Sequence, residues 1–217
     1  MGLDLIVEGC PMPGHEDEWQ RLLERSFAEE ELSEAEVARF QEISTPAYAR
    51  LGAPQVGFDK AADEWILKTQ NATSPDAVAA VLKEFNGYYV VRLVNCDGVP
   101  IYSNGDLYEG ADATSFRGAF LDQCEDVLSD DVLEQAWNHK FPKEAVAYGK
   151  ALLQAADAAE ARGERPARAS RRSFLSRIGL AKTRETLPIA EQLDIVRAAG
   201  RWFIFWGERG HAIRAWF

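Results

Sequence analysis

The spacing of apolar residues along the chain predicts a mixture of helices and strands. The short apolar run from Leu3 to Val7 is typical of a strand. A helix is predicted to follow, because four large apolar residues then recur at helical spacing: Trp19, Leu22, Leu23 and Phe27. Residues that typically start helices mark further predicted helices at Ser33, Ser74, Ser129, Pro142 and Pro188.

Two aromatic segments predict β-hairpins. The run 88–94 is rich in aromatic and β-branched residues, and Asp97-Gly98 is a typical turn, so one hairpin is expected near 88–102. A second is expected near 201–217, because an aromatic run there follows Gly200 and precedes a glycine turn. With the N-terminal strand, these hairpins predict a mainly antiparallel sheet packed with about six or seven helices, which is an α+β fold.

Length and composition favour one globular domain. The 217 residues are 47% hydrophobic and 27% charged, which predicts a single α+β domain over 1–217. Three separated cysteines predict neither a disulfide framework nor a zinc finger. Neither a secretory leader nor a membrane span is predicted, so the expected setting is a reducing, bacterial cytoplasm without membrane partners.

The net charge of -11 is unevenly distributed. Residues 162–184 carry eight basic side chains against one acidic side chain, a net of +7, while the rest of the chain carries 16 basic and 34 acidic side chains, a net of -18. Residues 162–187 are therefore predicted to be a flexible basic linker or excursion. It either leans on the protein's own acidic surface or docks an anionic partner through Arg168, Arg171, Arg172 and Arg177.

The acidic residues form two clusters. Residues 16–42 hold ten acids and three bases, and residues 106–134 hold nine acids and one base, Arg117. A carboxylate is therefore expected to orient Arg117. These acidic faces favour a basic protein as partner and argue against nucleic acid for the body of the protein.

Residues 95–117 form the most informative stretch for a polar site, because long loops rich in polar residues often carry function. Together with the end of the first strand, this loop predicts the wall of a polar cleft. The candidate binding residues are Glu8, Cys10, His15, Asp97, Tyr102, Asn104, Asp106 and Arg117. The same loop residues are also ordinary turn and helix-cap residues, so a purely structural role stays open.

No motif for a phosphate loop, a dinucleotide fold, a serine nucleophile or a metal site is present, and no cofactor is predicted. The pattern favours a binding, regulatory or immunity-type interaction protein over an enzyme. The alternative is a small hydrolase or transferase that uses carboxylates and His15 beside the 95–117 loop.

Overall fold

A computed structural model of the protein describes residues 3–90, 93, 113–163 and 187–217. The chain divides into two compact units, one formed by Met1–Glu8 with Val99–Phe217 and the other by Gly9–Gly98. The division reflects which parts of the chain pack together. The single domain expected over 1–217 stays a prediction. Among the helices that the structure describes, none combines the length and the apolar composition needed to span a bilayer.

The described residues form a mixed helix and sheet structure, which confirms the predicted α+β class. The described ranges contain five short strands: β1 Asp4–Val7, β2 Cys10–Pro11, β3 Ser44–Thr45, β4 Ser115–Phe116 and β5 Ile213–Trp216. The α-helices of the described ranges are α1 Glu16–Phe27, α2 Glu34–Glu42, α3 Ala47–Arg50, α4 Lys60–Thr69, α5 Pro75–Glu84, α6 Asp130–Gln135, α7 Pro142–Arg162 and α8 Ile189–Glu208. A 3-10 helix covers Gly118–Gln123.

The sheet of the first unit has the order β4-β1-β5, and both neighbours pair antiparallel to β1. Leu5 lies opposite Phe116 on one side and Ala215 on the other, and all three are buried. Ile6 points to the opposite face and is 40% exposed. One face of the sheet therefore joins the core, as the alternation along β1 requires.

Helices α7 and α8 pack backbone to backbone in the first unit. A Cβ atom added to Gly149 would lie 2.6 Å from the carbonyl oxygen of Gly200, and one added to Gly200 would lie 2.9 Å from that of Gly149. Gly207 makes a similar approach to Pro142, with a 2.6 Å contact for an added Cβ. Three glycines thus let the two longest described helices approach more closely than side chains would permit.

The hairpin predicted near 201–217 is wrong, because α8 continues through Gly200 to Glu208. The aromatic run is buried with helical spacing: Trp202, Phe203 and Trp206 are buried, while Ile204 and Phe205 between them are partly exposed. Gly200 does not end the helix, because its missing side chain makes room for α7. Only the final segment, β5, is a strand.

The other predicted boundaries have mixed outcomes. Most of the hairpin predicted near 88–102 lies outside the described residues, and Tyr89 forms an isolated antiparallel bridge with Gln55. The described residues contain more helices than the six or seven predicted, partly because α3 lies in a stretch of prolines and glycines that is typical of loops. Nearly all of the basic segment 162–187 lies outside the described residues.

The second unit joins two groups of helices. In the first group, β2 pairs antiparallel with β3, and α1 buries Trp19, Leu22 and Leu23. In the second group, α4 and α5 enclose a cluster of Val56, Ala62, Ile66 and Val90. The predicted cap at Ser74 is confirmed, since its hydroxyl accepts the backbone N–H of Ala77 at the start of α5.

A substitution at Gly149 tests the helix contact. Alanine normally stabilises a helix relative to glycine by about 1 kcal/mol. At Gly149 we expect a loss of about 1 to 3 kcal/mol in the free energy of unfolding, because the added Cβ overlaps the carbonyl of Gly200. Chemical denaturation of Gly149→Ala measures this loss.

Ala158 on the same helix supplies the matched control. This residue is exposed, so Ala158→Gly reports the ordinary propensity difference within α7. A Gly149→Ala protein more stable than the wild type would contradict the close backbone contact.

Candidate functional site

Helices α1 and α2 of the second unit are joined by reciprocal ion pairs. Arg25 of α1 binds Glu36 of α2, and Arg39 of α2 binds Glu18 of α1 at 2.9 Å. Each arginine also holds a glutamate outside that contact: Arg25 binds Glu30 at 2.9 Å and Arg39 binds Glu42 at 3.0 Å. Two of the three bases in residues 16–42 are thus used inside the helix pair.

The remaining acids of the pair face solvent. Six of the ten acids in 16–42 take no part in the ion pairs found among the described residues, and all six are exposed: Glu16, Asp17, Glu24, Glu29, Glu31 and Glu34. We call this surface, the six carboxylates on and between α1 and α2, the acidic face. Arg21 is the one base of 16–42 outside these ion pairs, so the acidic face keeps most of the negative charge predicted for it.

A capping box, an ion pair and an aromatic contact hold the helices that carry the acidic face. Ser33 and Glu36 form the predicted capping box at the start of α2. The backbone N–H of Ser33 and the guanidinium of Arg25 lower the pKa of Glu36 to about 2. Trp19 of α1 stacks on Phe40 of α2 with ring centroids 6.0 Å apart. The two helices are therefore joined by an aromatic contact as well as by charge.

His15 and Cys10 both lie in this second unit. His15 Nδ1 lies 3.4 Å from Arg39 and 3.7 Å from Glu18, so the imidazole borders the ion-pair network at the start of α1. Cys10 is 2% exposed, and Arg50 donates a hydrogen bond to its sulfur at 3.1 Å. The structure thus gives His15 a place beside the acidic face and gives Cys10 a buried one.

Glu8 and Arg117 lie in the first unit, at opposite ends of β1. Glu8 follows β1 and binds Arg214, whereas Arg117 follows β4 and binds Asp4 at 3.4 Å. Arg117 therefore has a carboxylate partner, but this partner, Asp4 of β1, lies outside the acidic residues 106–134 on which the expectation rested. Neither side chain adjoins the other, because β1 and β4 run antiparallel.

The other predicted binding residues cannot be placed. Asp97, Tyr102, Asn104 and Asp106 lie outside the described residues, as do Arg168, Arg171, Arg172 and Arg177. The polar cleft along 95–117 and the anionic partner of 162–184 stay predictions.

A half-open cavity of about 390 Å³ lies between α6 and the start of α7 in the first unit. Its lining includes Gln135, Asn138, His139, Lys140, Glu144 and Tyr148. Lys140 is only 4% exposed, and its ammonium donates hydrogen bonds to the backbone oxygens of Gln135 and Asn138. The ammonium also lies 4.4 Å from the centre of the Tyr148 ring.

Lys140 therefore closes the carboxyl end of α6, where the helix dipole favours a positive charge. Burial lowers the pKa of Lys140 to about 8, and the nearby Glu144 carboxylate partly opposes this shift. The two hydrogen bonds of the ammonium join the cavity wall to the end of α6, and no sequence motif singled out Lys140 for this contact.

The other two histidines also have structural contacts. His139 Nδ1 accepts the backbone N–H of Ala215 at 3.1 Å, and His211 Nδ1 donates to the backbone oxygen of Glu8 at 2.7 Å. Both contacts hold β5, one on each flank. Within the described ranges, no group of three or more His, Cys, Asp or Glu side chains is arranged to hold a metal ion.

Sequence reasoning located the acidic stretch but missed the way it is organised. Arg25 and Arg39 stand out as bases in an acidic stretch, yet nothing in the sequence identified glutamates on the neighbouring helix as their partners. Cys124 is fully buried, and burial raises the pKa of its thiol.

Comparison with known proteins adds no relative. No family model, no curated protein and no solved structure matches the chain.

The lowered pKa of Lys140 predicts a specific pH dependence of stability. The unfolded chain keeps the proton of Lys140 up to its ordinary pKa of 10.5, whereas the folded protein releases it from about 8. Between these values the unfolded state binds more protons, so the free energy of unfolding rises with pH. For one group this rise is at most about 1.4 kcal/mol per pH unit.

Comparing denaturation curves of the wild type and Lys140→Met as a function of pH isolates this contribution. We expect the wild type to gain stability relative to the variant as pH increases through this window. Parallel pH profiles for the two proteins would contradict the buried position of the ammonium.

Proposed function

We propose that this protein is a binding or regulatory protein, of the kind that includes immunity proteins, and that the acidic face takes up a basic protein partner. The proposal depends on how the arginines of this region are used. Arg25 and Arg39 join α1 to α2, and the six other carboxylates of the region are left exposed.

Charge of one sign on a firmly held surface suits this role. The contacts between α1 and α2 hold the backbone that carries these carboxylates, so a partner pays mainly for ordering their side chains. A field of one sign also raises the rate at which an oppositely charged partner arrives, and this effect weakens as salt increases. Since each exposed ion pair contributes little alone, affinity depends on several carboxylates acting together.

As part of the proposal, we place the protein in a reducing, cytoplasmic setting. Cys10 and Cys124 are both free thiols in the described structure, and both are buried. This arrangement supports a compartment in which disulfides are not required.

Neutralising part of the acidic face tests the proposal. The triple variant Asp17→Asn, Glu24→Gln and Glu31→Gln changes three exposed carboxylates outside the ion pairs. Isothermal titration with a lysine–glycine repeat peptide measures binding. We expect affinity to fall roughly tenfold, because three weak ion pairs are lost together. Wild-type affinity should also fall steeply as salt increases.

A variant elsewhere on the second unit provides the matched control. Glu64→Gln, Asp76→Asn and Glu84→Gln change the net charge equally at exposed positions of α4 and α5. We expect this control to bind like the wild type. Equal losses in both triple variants would show that net charge alone governs binding and would contradict a role for the acidic face.

A further inference from the structure

An aromatic pair is exposed on the first unit. Trp137 and Phe217 are 38% and 59% exposed, and their ring centroids lie 5.6 Å apart in an edge-on arrangement. Single exposed apolar side chains are common on protein surfaces, whereas adjoining exposed aromatic side chains more often mark an interaction surface. The pair is therefore a candidate surface for binding a partner.

The segment that carries Trp137 is fixed against the strand that precedes Phe217. The backbones of Lys140 and Ile213 exchange two hydrogen bonds of 2.8 Å. His139 accepts the N–H of Ala215, and the Lys140 ammonium donates to the backbone oxygen of Gln135 at the end of α6. The two rings thus sit on paired segments, so binding would require little ordering of either.

Acidic side chains lie on α6, the helix that precedes Trp137 in the chain. Asp130, Asp131 and Glu134 are exposed, and Asp130 and Glu134 share one helix face because they are four residues apart. The turn continues to Trp137, whose backbone N–H donates to the oxygen of Glu134 at 3.2 Å. Residues 118–139 contain six acids and no lysine or arginine, and the next cation, Lys140, is buried.

We propose that this surface, the Trp137 patch formed by Trp137, Phe217, Glu134 and Asp130, receives an arginine side chain from a basic protein segment. A guanidinium is planar and weakly hydrated, so it stacks on aromatic rings while its N–H groups bind carboxylates. A lysine ammonium offers the same charge without the planar face. The proposal rests on the proposed function, because it takes the partner to be basic, and it adds a preference for arginine.

Charge selects this occupant over a second copy of the chain. Each copy has a net charge of -11, and the helix α6 just before Trp137 carries exposed carboxylates, so two copies would meet with like charges. A basic segment instead supplies the opposite charge together with a group that suits the rings.

Two repeat peptides of equal length and charge test the preference, one of arginine and glycine and one of lysine and glycine. Isothermal titration is carried out with the wild type, Trp137→Leu and Phe217→Leu, after circular dichroism has verified their folding. Phe58→Leu is the matched control, because it removes a 71% exposed aromatic ring from the second unit.

We expect the wild type to bind the arginine peptide about two- to fivefold more tightly than the lysine peptide. Both patch variants should lose this preference, and Phe58→Leu should keep it. Equal affinity of the wild type for the two peptides, or a preference that survives both patch variants, overturns the Trp137 patch. In that outcome the proposed function still stands if the acidic-face variant weakens binding. If neither peptide binds the wild type, the proposed function fails and the patch fails with it.

Discussion

The contact between the backbones of α7 and α8 is the constraint on which the first unit depends. Because Gly149, Gly200 and Gly207 lack side chains, α8 lies directly against α7. Along α8, the indole N–H groups of Trp202 and Trp206 both donate to the backbone oxygen of Ala113, at 2.9 and 2.8 Å, just before β4. The same helix thus links the close helix pair to the edge of the sheet.

Other contacts of the first unit follow from that position of α8. Phe203 packs edge-on against Tyr148 of α7 at 4.9 Å, and the Tyr148 hydroxyl donates to the oxygen of Val132 in α6. Lys140 lies over the same Tyr148 ring, and its backbone pairs with β5. The packing of α7 against α8 therefore positions the side chains and the strand that support the cavity wall and the Trp137 patch.

In the second unit, charge supplements packing where α2 meets α1. None of the residues of α2 is buried, so hydrophobic burial alone holds it weakly. The ion pairs between Arg25 and Glu36 and between Arg39 and Glu18 supplement the stack of Trp19 on Phe40. The excess of carboxylates is then a consequence of composition: there are too few arginines to bind all of them. Because Arg25 and Arg39 are used in the helix contact, the carboxylates without an ion pair form the surface that we propose to be functional.

Several elements were predicted from residues that lie close together in the sequence. The strand at β1, the cap at Ser33 and the long helix from Pro142 depend on neighbours within a few residues. The aromatic run of α8 was misassigned, because aromatic and β-branched residues favour strands unless a distant partner intervenes. Here the partner is Gly149, some fifty residues away, and no local pattern reveals it. Lys140 was missed for the same reason, since its burial depends on Tyr148 and β5.

The acidic face is proposed to bind a basic partner. Amide chemical-shift mapping on isotopically labelled full-length protein, titrated with the lysine–glycine peptide, tests it most directly because it locates the bound peptide without any substitution. We expect the largest shift changes to fall on α1, α2 and the turn between them and to diminish when salt is added. Changes confined to α4 and α5, or no changes at all at low salt, would contradict it.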